Sequence, residues 1–445
     1  MPALLAIACC LLLQEPAPDK RRLTSAPDRR VELDFQHYYK TRELHNALSS
    51  LAAAYPEFVQ LTSLGKSRSN EDLWLLTLSE NGGADPRSKP AIFVSASQGL
   101  GDLQGSELAL SSVVEFLQNN KREERVGRAL HETTAYFVLC ANPDLRTSVL
   151  TEVEAGTAAS TSAQARIDLD RNYPVGWNPF QVGDDPLPRN PGPYPLSEPE
   201  SRWISTFLVE HENIAAVVGF APSNWASTES GLEPALVREP ASLQHLLDSQ
   251  AANASAALEF SGRAGDPRGT IDDFAYGQLG ALPLRLLCGE IDGANGLALP
   301  RTDEIAPLAR KVAASLLSLS EALPRLAISG TSVQRLKNDL WQIEVTIANS
   351  GSLRTQSALG SARRSVGLPR LSVHGGKLAV ACVRMGKDQV YVPMPIDEGR
   401  FALTELDGGA QLRVRVLVEA SAETSLDLTV SSPRAGTATT SLVLR

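Results

Sequence analysis

A chain of 445 residues is long enough to build more than one core. Its 43% hydrophobic and 21% charged residues are those of a globular protein and exclude a disordered chain. A formal net charge of -9, with no basic stripe beyond short pairs such as Arg21-Arg22 and Arg363-Arg364, argues against nucleic acid as a partner.

Residues Pro2 to Leu13 form one apolar run, followed by Gln14-Glu15-Pro16-Ala17-Pro18. The run is too short to span a bilayer but suits the apolar region of a secretory signal, although no basic residues precede it. Cys9 after Ala6-Ile7-Ala8 faintly resembles a lipoprotein cleavage site; an apolar tail on a cytoplasmic protein is the other reading. Residues 1–30 are therefore expected to be a leader plus a disordered segment, and the protein to be exported to the periplasm, cell surface or medium. No other segment could span a membrane. Beyond the leader, Cys140, Cys288 and Cys382 each sit in an apolar run without Cys-x-x-Cys spacing, which predicts buried small hydrophobes and no disulfide framework.

From Phe35 the chain becomes regular. Leu44, Leu48, Leu51 and Ala52 recur at helical spacing, and Tyr55-Pro56 ends that helix. Val59 to Leu64 and Leu73 to Leu78 read as short strands around Gly65-Lys66-Ser67-Arg68. Ala91 to Ser95 is an apolar strand running through the Gly-rich turn Gln98 to Gln104 into a helix over Ser106 to Leu117. Such a turn is where open α/β sheets place their sites. Tyr136 to Cys140, Ile214 to Phe220 and Pro283 to Cys288 are further buried runs, and residues 152–165 read as a loop. Ser197-Glu198-Pro199-Glu200 predicts a helix start with Ser197 as cap and a capping box. Leu308 to Leu323 is a closing helix. Strands that are apolar throughout, alternating with helices, argue for a mostly parallel sheet covered on both faces.

After Pro324 the pattern changes. Trp341 to Ala348, Lys377 to Val383, Gln411 to Ala420 and Ser425 to Val430 alternate apolar and polar residues, as in a small antiparallel β-sandwich. The expected division is 31–324 for the α/β domain and 325–445 for the sandwich.

Tyr38-Tyr39, Tyr55-Pro56, Gly105-Ser106-Glu107, Asn142-Pro143-Asp144, Asp168-Leu169-Asp170-Arg171-Asn172-Tyr173-Pro174, Ser197-Glu198-Pro199-Glu200 and Gly269-Thr270-Ile271-Asp272-Asp273-Phe274-Ala275-Tyr276 occur in the order of landmarks in the carboxypeptidase A-type (M14) zinc metallocarboxypeptidases. Residues 35–322 resemble that family. The resemblance implies an eight-stranded mixed sheet with helices on both faces. It also implies an exopeptidase site at one edge, where zinc-assisted water attack removes a peptide's C-terminal residue.

A catalytic zinc needs three protein ligands and an open position. Counting back from Gly105-Ser106-Glu107, the family's first His falls on Gly99 and its Glu on Asp102, and the later His falls on Ala221. Asp102 alone could ligate. The family's general-base Glu falls on Cys288, a poor base, with Glu290 two residues later as a displaced candidate. The carboxylate-gripping Asn-Arg pair becomes Asp170-Arg171, where Asp170 is expected to pair with Arg171 and repel an incoming carboxylate. The family's substrate-covering Tyr falls near Ala264. Of six histidines, at 37, 45, 131, 211, 245 and 374, none stands at a ligand position.

Three readings follow. The favoured one is a catalytically silent, exported binding or scaffolding module with no cofactor, its ligand a peptide or protein. The second is an active zinc carboxypeptidase with a rebuilt metal site around Asp102, Glu290 and a distant His. The third makes Cys288 a nucleophile, which requires a base within hydrogen-bond reach.

Overall fold

The computed structural model describes residues 26–82, 85–156, 167–180, 190–221, 258–260, 268–287, 302–337, 339–364, 366–385 and 389–445. Strands β1 (Val59–Lys66), β2 (Asp72–Leu78), β3 (Ala91–Ser95), β4 (Thr134–Val138), β5 (Ile214–Ala221), β6 (Leu258–Phe260) and β7 (Leu282–Leu287) form one sheet in the order β1-β2-β4-β3-β5-β7-β6. Its centre, β4-β3-β5-β7, is parallel, and β1, β2 and β6 join antiparallel. The sheet is thus mixed, as expected, but it has seven strands among the described residues rather than eight. An eighth could only fall outside them.

Every residue of β3 and β5 is buried, which is why both read as unbroken apolar runs. Alternation divides β3 between two cores. Ile92 and Val94 face the helices Thr41–Ala54, Gly105–Asn119 and Thr302–Ala322, whereas Ala91 and Phe93 face Tyr173, Ile204, Ile271 and Phe274. The first helix ends where predicted, with the Tyr55 N–H returning to the Leu51 carbonyl.

Several expectations need correction. Helices Glu124–Glu132 and Pro143–Glu154 were not anticipated, and the second extends into the expected loop. The closing helix starts at Thr302 and carries Pro307 in its second turn. The helix after Ser197 starts at Pro199 with Glu198 at the cap position and no side-chain cap. The Ser197 hydroxyl is engaged by the Asn172 amide and by Glu198, and Glu200 accepts the Arg68 N–H. Cys140 and Cys382 are free thiols of intermediate exposure rather than fully buried; Cys288 lies outside the described residues.

The C-terminal region is wholly antiparallel. Strands β8 (Leu326–Lys337), β9 (Leu340–Asn349), β10 (Arg370–His374), β11 (Lys377–Met385), β12 (Val390–Pro393), β13 (Arg400–Ala402), β14 (Gln411–Glu419), β15 (Ser425–Ser432) and β16 (Gly436–Val443) make a five-stranded sheet, β12-β11-β14-β9-β8, and a four-stranded sheet, β13-β10-β15-β16. Both sheets contribute to one core around Trp341, with Ile343, Val345, Leu371, Val416 and Leu428. Leu353, from the segment after β9, instead belongs to the core of the first region, and its N–H bonds the Ala322 carbonyl. At Gly351 a side chain would run into the Leu323 carbonyl, so the two regions meet backbone to backbone there.

Candidate functional site

The chain leaves β3 through Ala96, whose N–H bonds the Val138 carbonyl, and turns at Ser97 with a φ of 53°. A non-glycine residue in the left-handed region costs energy and is held by its surroundings. The Ser97 hydroxyl shares a 2.7 Å hydrogen bond with the Ser106 hydroxyl and reaches the Leu103 carbonyl at 3.0 Å. Arg146, wholly buried, donates to Leu103 O at 2.7 Å and to Tyr39 O at 2.8 Å, and pairs with buried Glu107. Glu107 in turn accepts the Tyr39 N–H at 2.9 Å. Burial holds the Glu107 carboxyl above its ordinary pKa, against the pull of Arg146. The Gly105-Ser106-Glu107 landmark therefore ties the loop to Tyr39, just ahead of the helix Thr41–Ala54.

Within this loop Asp102 turns back on its own backbone. Its Oδ1 accepts the Gly99 N–H at 2.9 Å and its Oδ2 the Gln98 N–H at 3.1 Å, closing a single 3₁₀ turn over Leu100–Asp102. Burial pushes its carboxyl up to about 7, the two backbone bonds work against that, and nearby Asp170 adds to it. Gly99 is extended, and a Cβ there would stand 2.5 Å from Asp168 Oδ1. Asp168 caps the turn Leu169–Arg171 by accepting the Asp170 N–H at 3.1 Å. Ala221 is the last residue of β5, buried, opposite Leu287 on β7.

The expected Asp170–Arg171 pair is corrected. Asp170 turns to Arg285 on β7, whose Nη2 lies 2.9 Å from both carboxylate oxygens. Arg285 Nε reaches Asp272 Oδ2 at 2.5 Å and Nη1 reaches the Phe220 carbonyl at 3.2 Å. Burial opposes the charge of Arg285, but Asp170 and Asp272 outweigh it and hold the guanidinium above its ordinary pKa. The reason for the switch is geometric. β7 runs parallel to β5 and places Arg285 beside Gly219, so its side chain crosses toward the 168–172 turn. Arg171 is also buried, 6% exposed. Tyr173 completes the wall, its hydroxyl donating to Gln98 Oε1 at 3.0 Å.

The structure therefore brings Gly99, Asp102, Asp170 and Arg171 onto one group of loops. Cys288, Glu290, His245 and Ala264 lie outside the described residues. The described histidines have other company: His45 stacks on Trp74, His211 stacks on Phe207, His131 meets Glu80, His37 lies against Tyr39, and His374 ends β10. Arg285 and Asp272 were missed. A lone arginine inside Leu282-Pro283-Leu284-Arg285-Leu286-Leu287 was the available signal, since a buried guanidinium requires carboxylates.

The three positions do not fit zinc. Gly99 has no donor and no room for a side chain without moving Asp168, Ala221 has no donor, and both oxygens of Asp102 are held by amides of its own loop. Among the described residues no three His, Cys, Asp or Glu side chains are arranged to hold a metal.

Comparison with known proteins places this fold. The profile of the zinc carboxypeptidases (peptidase M14) matches residues 44–315, more than half of the 445 residues, and the chain belongs to that family. A domain family of unknown function, DUF8731, matches residues 325–443. Carboxypeptidase D of Drosophila melanogaster is 26% identical over 140 residues, 32% of this chain and 10% of that protein. Carboxypeptidase B of Astacus astacus is 27% identical over 193 residues, 40% of this chain and 59% of that protein. The chain thus spans less than two thirds of either relative. The crystal structure of carboxypeptidase A from Helicoverpa armigera has a TM-score of 0.49 at 17% identity, covering 65% of this chain and 75% of that one.

Proposed function

We propose that the chain is a catalytically silent member of the zinc carboxypeptidase family, exported after loss of a leader in residues 1–30, which binds a peptide or protein without cleaving it. On this reading residues 31–324 form the carboxypeptidase-like unit and 325–445 a sandwich unit. The observation that carries the proposal is the internal commitment of these loops: Asp170 is ion-paired to Arg285, and Gly99 lies against Asp168. Asp102 is the remnant of the ligand set, engaged as a turn cap. No helix among the described residues is long and apolar enough to cross a membrane.

The test is incubation of the purified full chain, with and without added zinc, with peptides ending in basic, aromatic, aliphatic and acidic residues, followed by mass spectrometry. The expected result is intact peptide throughout. Chelator-sensitive release of a C-terminal residue would establish the rebuilt metal site instead. Turnover that resists chelators but is lost in Cys288→Ala would establish the thiol hydrolase.

A further inference from the structure

The helical stretch that presents Asp272 to Arg285 is anchored at its other end by side chains of the C-terminal region. Ile271–Phe274 is α-helical and continues as one π turn over Ala275–Leu279, closed by Gly280 at a φ of 64°. The carbonyls at such an end have no partner within the helix and must be satisfied from outside. Arg434, just after β15 and 3% exposed, donates Nη1 to Gly280 O at 2.5 Å and Nη2 to Leu279 O at 2.6 Å. The Ser357 hydroxyl donates to the same Gly280 carbonyl at 2.7 Å, and Arg363 donates to Gly277 O. Burial pushes the Arg434 guanidinium down to about 10, which still leaves it a cation at neutral pH, the favourable sign at a helix C-terminus.

We propose that Arg434 is a positioning residue: by holding the 275–280 turn it fixes Asp272 against Arg285, so that the C-terminal sandwich serves to stabilise the buried ion cluster of the first region. The sandwich's open edges agree with an inward role. β12 is four residues long and ends at Pro393, while β8 carries two register irregularities and ends at Lys337. Short strands, bulges, proline and lysine are the features that discourage pairing with another chain.

The inference concerns local order, so neither zinc content nor turnover enters its test. In full-length Arg434→Met, hydrogen exchange read by mass spectrometry should be about ten- to a hundredfold faster in peptides covering 268–287. Peptides from β9 and β14, in the middle of the five-stranded sheet, should keep wild-type rates. Unchanged rates in 268–287, or loosening confined to 325–445, would overturn the proposal. If Arg434→Met does not accumulate folded, Ser357→Ala removes one donor to the same carbonyl. It should accelerate the same peptides a few-fold, and no acceleration there would equally overturn the proposal.

Discussion

Two of the buried arginines near the loop that follows β3, Arg146 and Arg285, differ in what they hold. Arg146 pairs with one carboxylate, Glu107, and gives its other donors to Tyr39 O, Leu103 O and Ser97 Oγ. Among the described residues Arg285 faces the carboxylates of Asp170 and Asp272 and the Phe220 carbonyl. The first arrangement shapes backbone and would serve a catalytic or a silent protein alike. The second joins Asp170 and Asp272 to one guanidinium, at the position that the resemblance assigns to the substrate clamp. Desolvating three charges is costly, and geometry alone makes the triad tolerable. On the proposed reading it is the element that separates a retained scaffold from a changed site.

The largest expected effect is on that triad. Arg285→Met leaves Asp170 and Asp272 buried without their cation and should cost about 3–5 kcal/mol in urea unfolding. Replacing all three by apolar residues of similar volume (Arg285→Met, Asp170→Leu, Asp272→Leu) should recover most of that loss. A triple variant as weak as the single one would show that the triad has a role beyond mutual neutralisation. Arg146→Met should also destabilise strongly, and the triple-replacement logic should fail there, because Arg146 satisfies backbone carbonyls that no apolar residue can serve.

A smaller effect is expected at Gly99, the position that the resemblance assigns to a zinc ligand. Gly99→Ala pushes a methyl against Asp168 and should cost about 1–3 kcal/mol, again by urea unfolding. A neutral outcome would mean that the loop can shift, and that a ligand there is sterically allowed. The titration of buried acids is subtler. Burial raises Asp102 to about 7 and Asp273 to about 6, from an ordinary 3.8. The folded state therefore binds more protons than the unfolded state between about pH 4 and pH 7. These two groups make stability fall as pH rises through that window, and contribute no slope below it. Unfolding midpoints across pH 4–8 in Asp102→Ala against wild type isolate the first group: the variant should lose part of that downward slope. The smallest change should come from Lys377→Ala, which breaks an exposed pair with Glu419 and should leave the midpoint within error.

Much of the first region was legible because its strands are buried on both faces. Ala91–Ser95 stands where its apolar run puts it, and the run from Ile214 marks β5 to within a residue. The partner of Asp170 was not legible, since Arg285 is 115 residues away and nothing local couples them. Asn142-Pro143 carries a readable helix start, with Asn142 accepting the Leu145 N–H, although no apolar period after it marks the helix. In the sandwich, β9 shows clean alternation of buried and half-buried residues, whereas nine of the twelve residues of β8 are exposed, so no period marks it.

The central proposal is that these loops keep the family's scaffold without its metal. Native mass spectrometry of the purified full chain, equilibrated with one equivalent of zinc and then desalted, tests it directly. The account predicts the metal-free mass. One zinc retained per chain and removed by a chelator would contradict it.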